Sequence, residues 1–205
     1  MYSIPMALAD FIPVLFFGAA AILLQKDLYN KMSKGAYALL CAGTIDVFMA
    51  GALKALYKFM YAANICDFDA LSKLFFPLQA LGFLLAGISL VCMLFLNQGK
   101  NTMYSAAPVA FSGTFVFVAL MVAGLGCVEY SLSVLAAKLK KKKIIILFVI
   151  SFVFSLCMGY LSSKDFSQSY MNWAAELVNI IGQGSLFAGV LLMHKAGLNE
   201  LKLEK

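Results

Sequence analysis

An all-α, polytopic membrane protein is the fold class this sequence predicts, and three observations predict it. Of 205 residues, 63% are hydrophobic and 13% charged, with a mean hydropathy of +0.90; an average soluble domain is roughly half apolar and about a quarter charged. The apolar residues gather into six segments, each near the length of about 20 residues that a helical span needs. The connections are short and carry Lys, Asn, Gly and Ser, so residues 1–205 read as a single transmembrane domain with no soluble domain attached.

The first segment, TM1, covers 6–25. The first 25 residues carry no Lys, so the basic flank of a signal peptide is missing and the segment is expected to stay as a span. TM2 covers 36–57 and holds Asp46 within GTIDVFMAG, with about ten apolar or small residues on either side. A bare carboxylate at mid-bilayer costs roughly 3 kcal/mol on insertion scales, so such a residue reads first as functional. Ala42, Gly43 and Ala50 leave room around it. TM3 covers 73–96, with Pro77 two residues before Gln79, and Gln79 and Asn97 fall on one helical face. The proline either frees a backbone carbonyl inside the span or sits harmlessly in the first turn.

TM4 covers 107–130 and ends near Glu129, which reads as a structural acid reaching the interface or the adjacent Lys run. TM5 covers 143–161. TM6 covers 170–194 and is the most informative segment. At 3.6 residues per turn, Asn172, Glu176, Asn179, Gln183 and His194 share a stripe about 60° wide. That stripe should face a protein interior or a water-filled cavity. Gly182, Ser185 and Gly189 lie on another face, where small residues admit a neighbouring helix. His194 and Glu176 sit about 27 Å apart along the helix, too far to act as an acid–base pair.

All 16 basic residues are Lys, so no guanidinium clamp on phosphate or carboxylate is available. The net charge of +6 comes from Lys at segment ends and does not point to nucleic acid. With the N-terminus inside, eleven Lys fall inside and five outside, which favours two cytoplasmic termini in a bacterial-type plasma membrane. The loop QKDLYNKMSK dissents, being basic yet placed outside; the KLKKKK run at 138–143 outweighs it. PVLFFG (13–18) resembles PVAFSG (108–113), and GFLLAGISL (82–90) resembles GSLFAGVLL (184–192), the pattern of a weak 3+3 inverted repeat.

The five Cys residues lack CxxC spacing and read as small buried hydrophobes, with no disulfide framework, metal site or cofactor expected. The function expected is an ion- or proton-coupled small-solute transporter. Its mid-membrane site would be built by TM2, TM3 and TM6 from Asp46, Gln79, Asn172, Glu176, Asn179 and Gln183, with a small polar solute or cation as ligand. One alternative is a solute-binding or sensory subunit acting with a partner protein, using the small residues of TM1 (Gly18, Ala19, Ala20, Ala21) to dock; a homo-oligomer is equally open. The other is an intramembrane enzyme, although HExxH, GxSxG and GxGD motifs are all missing.

Overall fold

A computed structural model describes residues 3–96, 114–161 and 169–203, and these are helical apart from short connections. Helices α1 (Ile4–Ala9) and α2 (Phe11–Leu28) form the first span, with Pro5 opening α1. Helix α3 (Lys34–Ala62) is capped by the Ser33 hydroxyl, which accepts the Ala36 N–H at 3.2 Å. The short α4 (Ala70–Lys73) leads into α5 (Phe75–Phe95). Then come α6 (Thr114–Lys138), α7 (Ile145–Leu161) and α8 (Ser169–Lys195), which stops before Gly197 at φ +84°. Six helical stretches among the described residues are long and apolar enough to cross a membrane, which supports a multi-pass membrane protein.

One boundary differs instructively from the expected one, and the placing of Pro77 is resolved. The third helix runs to Ala62 rather than 57, because Lys58 is not a solvated flank but an internal ion-pair partner. Pro77 falls in the first turn of α5, where its missing N–H leaves no helical bond unmade.

Glycines set the closest helix approaches. A Cβ placed on Gly43 of α3 would lie 2.5 Å from the Gly82 carbonyl oxygen and 2.6 Å from the Ala86 nitrogen of α5. These obstacles are backbone and cannot rotate aside. Gly43→Ala is therefore expected to push α3 off α5 and lower stability by about 1–3 kcal/mol, read as an earlier thermal midpoint in detergent; an unchanged midpoint would mean the seam is looser than this. The small residues of α2 pack inward as well. Ala20 and Ala21 are buried and Gly18 abuts Phe48, so the expected TM1 docking face is internal.

Contacts along the helices fix their directions. Val14 meets Gly51 and Gln25 Nε2 donates to Thr44 Oγ1 at 2.8 Å, so α3 runs against α2. Gly82 meets Gly43 while Ser89 donates to the Ala36 carbonyl at 2.7 Å, so α5 runs against α3. Helices α5 and α6, however, ascend together: Gly124 lies against Phe83 and Leu84, Cys127 against Gly87, and Tyr130 against Phe95. Gly182 meets Phe154 and Gly189 meets Phe148, so α8 runs against α7.

Phe95 and Thr114 thus lie at opposite ends of the bundle. Ile4 and Leu198 also lie at opposite ends. The simple alternation of six apolar segments fails at the parallel α5–α6 pair. The paired segments of the supposed repeat, TM1 with TM4 and TM3 with TM6, run in the same direction, which is not the inverted arrangement. PVAFSG itself lies outside the described residues.

One end of the bundle collects Lys26, Lys31, Lys34, the 138–143 run, Lys195 and Lys202; the other holds Lys54, Lys58 and Lys73. Between them sits a core in which Leu28, Leu40, Leu90, Leu132, Leu135 and Val190 are fully buried. On α7, Ile146, Val149, Val153 and Tyr160 form an outward stripe for lipid to cover.

Candidate functional site

A cavity of about 390 Å³ opens within the Lys-poor half of the bundle. It is built where the first turns of α2, α5, α6 and α8 meet the last turns of α3 and α7. Apolar side chains make most of its wall, the rings of Phe48, Phe75, Phe83 and Phe154 among them. Helix α8 lays its polar stripe along one side: Asn172, Glu176, Asn179 and Gln183 all line the space. The stripe faces inward because Gly182 and Gly189, on another face, hold α8 against α7. Gln79 joins the lining from α5.

Charges concentrate toward the outer part of this cavity. Lys58 Nζ lies 2.5 Å from Asp10 Oδ2, and both side chains are largely buried. The Glu176 carboxyl is within hydrogen-bonding reach of the Asp10 carboxyl. Lys54 points its ammonium at the face of the Phe75 ring, 3.8 Å from the centroid, a cation–π placement. Two acceptor atoms on the stripe, Glu176 Oε1 and Gln183 Oε1, are buried without a hydrogen-bond partner among the described residues. Buried acceptors of this kind normally find a partner. In a cavity, that partner is a water or a ligand.

Of the residues the sequence singles out, Gln79, Asn172, Glu176, Asn179 and Gln183 therefore share one cavity. Asp46 does not border it. The cavity face of α3 is carried by Val47, Phe48, Gly51, Lys54 and Lys58. Asp46 is half-buried on a different side, beside Ile45 and Met49, which are 56% and 42% exposed. Asp46→Asn is accordingly expected to change stability by less than about 0.5 kcal/mol, read by thermal unfolding in detergent. A variant that melts early would instead make this carboxylate a clasp between helices. Asn97 lies outside the described residues.

Three charged residues of the site escape the sequence reading: Asp10, Lys54 and Lys58. Lys54 and Lys58 are counted there only among the Lys residues at segment ends, and Asp10 is not singled out. One signal was present. Lys54 and Lys58 are spaced i,i+4 and share a face with Val47 and Gly51, so a helix continuing past 57 aims both the same way.

Two further polar groups lie away from the cavity. Glu129 is buried rather than interfacial, a correction to its expected reach; its Oε1 accepts the Ser151 hydroxyl at 2.5 Å. At the Lys-rich end, His194 Nδ1 sits 2.9 Å from both Asp27 carboxylate oxygens, and Lys31 donates to the carbonyls of Asn199 and Leu201 at 3.0 and 2.5 Å. These bonds tie the end of α2 to the end of α8 and the turn after it. All five Cys are free, and no group of three His, Cys, Asp or Glu side chains among the described residues is placed to hold a metal.

Compared with known proteins, the chain matches no family model, no curated protein and no solved structure.

Proposed function

We propose that this is a membrane carrier for a small solute, bound in the cavity of the Lys-poor half. The observation that carries the reading is the α8 stripe. An apolar bundle turns four polar side chains into one open space and leaves two acceptor oxygens there without partners among the described residues. Maintaining that arrangement inside a membrane is costly, and a polar ligand is what it serves. Gln79, Asn172, Asn179 and Gln183 supply hydrogen bonds; Asp10 and Glu176 are the titratable groups at which ion or proton coupling would act. Asp46 has no part in this version of the site.

Orientation follows from the helix directions. With the Lys-rich end in the cytoplasm, the loop around Lys26–Lys34, the 138–143 run and the C-terminal Lys residues all obey the positive-inside rule together. The dissent of QKDLYNKMSK then disappears. The N-terminus faces outward, the C-terminus inward, and the cavity lies in the outer half of a bacterial-type plasma membrane.

A solute-binding subunit working with a partner protein is the second reading. The observation favouring it is the fully buried core between the cavity and the cytoplasmic end, which closes the route through a single chain.

Single cysteines in a Cys-free background separate these readings. Cysteines at Asn179 and Gln183 are expected to react with an impermeant thiol reagent added from outside, while one at Ile181, on the outward surface, is not. Reaction from both sides indicates alternating access and a carrier. Reaction from outside alone indicates a binding subunit. Equal reactivity at Ile181 and Asn179 would sink the cavity reading, and labelling from the cytoplasm alone would reverse the orientation.

A further inference from the structure

We propose that the cavity takes an organic monoanion, a small aromatic or short aliphatic carboxylate whose charged group meets the Lys54 ammonium. The inference rests on the solute-binding reading above and names the ligand class for that same site.

Among the described residues, four charged side chains border the cavity: Asp10, Glu176, Lys54 and Lys58. They are not evenly paired. Lys58 is matched by Asp10 at 2.5 Å. Glu176 lies close to the same Asp10 carboxyl. Lys54 is the remaining cation. No carboxylate oxygen among the described residues lies within 4.0 Å of its Nζ, and the contact it does make is with the Phe75 ring face. Lys54 is thus a cavity cation with an aromatic face, and no paired carboxylate among the described residues, at its ammonium.

That ammonium sits in a recess lined mainly by apolar side chains, where a field is focused rather than screened. A cation–π contact holds an ammonium more weakly than a desolvated carboxylate does, so an entering anion improves the position of Lys54. The rest of the ligand is set by the wall. Phe48, Phe75, Phe76, Phe83 and Phe154 contribute to the lining of a volume of about 390 Å³, toward the small end of ligand pockets. An anion with an apolar body fits both features; a bare inorganic anion would leave the rings uncovered, and a large amphiphile would not fit.

The test is thermal unfolding of the full chain in a non-ionic detergent against matched probes: benzoate and hexanoate, their amides, and benzylamine and hexylamine. Wild type, Lys54→Met and Lys54→Arg are run together. The expected result is a midpoint rise with the two acids and none with the amides or amines. Lys54→Met should weaken acid binding at least tenfold, and Lys54→Arg should retain it. Selectivity of the wild type alone decides the point even if Lys54→Met fails to fold. Preference for the amines, equal response to acids and amides, or undiminished acid binding by Lys54→Met would overturn the anion assignment while leaving a solute site in place. Failure of every probe, together with cysteines at Asn179 and Gln183 that do not label, would overturn the solute-binding reading itself, and the anion assignment with it.

Discussion

Lys58→Met is expected to destabilise the protein by about 3–5 kcal/mol, the usual cost of removing one partner from a buried ion pair. The Asp10 carboxylate would be left with a second carboxyl, Glu176, as its near neighbour. Lys54 faces the same cavity but is turned to Phe75, and reaching Asp10 would cost it that contact. The loss should appear as an early thermal midpoint and poor accumulation in the membrane. The double variant Asp10→Asn, Lys58→Met removes both charges and keeps a side chain able to hydrogen-bond Glu176, so it should recover most of the loss. The cycle therefore separates charge from packing. If Lys58→Met alone were harmless, water in the cavity would be hydrating Asp10 well enough to replace the ammonium. The 2.5 Å pair would then be an ornament of the cavity mouth rather than a support of the bundle.

The composition makes the spans legible and says little about how they are threaded. Each of the six apolar segments corresponds to a long helix, because hydrocarbon leaves a backbone no other way to satisfy its amides. The α8 stripe is legible for the same reason: helical periodicity alone puts Asn172, Glu176, Asn179 and Gln183 on one face. What periodicity cannot say is which neighbour each face meets. Asp46 illustrates the gap. Its cost in the bilayer is real wherever it sits, and only the packing of Gly43 against Gly82 decides that α3 turns Lys54 and Lys58, not Asp46, toward the cavity. Charge near a span's end is ordinarily solvated, so Lys54 and Lys58 do not stand out in the sequence. Here α3 continues past them and carries them inside.

Cysteines replacing Phe95 and Tyr130 are expected to be joined by a short bifunctional thiol reagent in nearly every molecule, in a background free of native Cys. The two rings stack with centroids 6.2 Å apart, and both side chains are largely exposed, so neither substitution disturbs the core. The pair discriminates sharply between threadings. The seam is anchored where Gly87 meets Gly124, and Phe95 lies eight residues beyond the first glycine, Tyr130 six beyond the second. In the parallel arrangement both climb from the anchor to the same level. In an antiparallel arrangement about the same anchor they would separate by about 21 Å along the axis, at a rise of 1.5 Å per residue, far beyond a short linker. Cross-linking thus establishes that α5 and α6 cross in the same direction. Ile4 and Leu198 must then stand on opposite sides, and the basic loop at 26–34 must share a side with the 138–143 run. Absence of the cross-link, with both cysteines reacting singly, would restore six alternating spans and two termini on one face. Lys31 could then no longer lie beside Asn199 and Leu201, and the cavity would lose the α6 side chains that now close it.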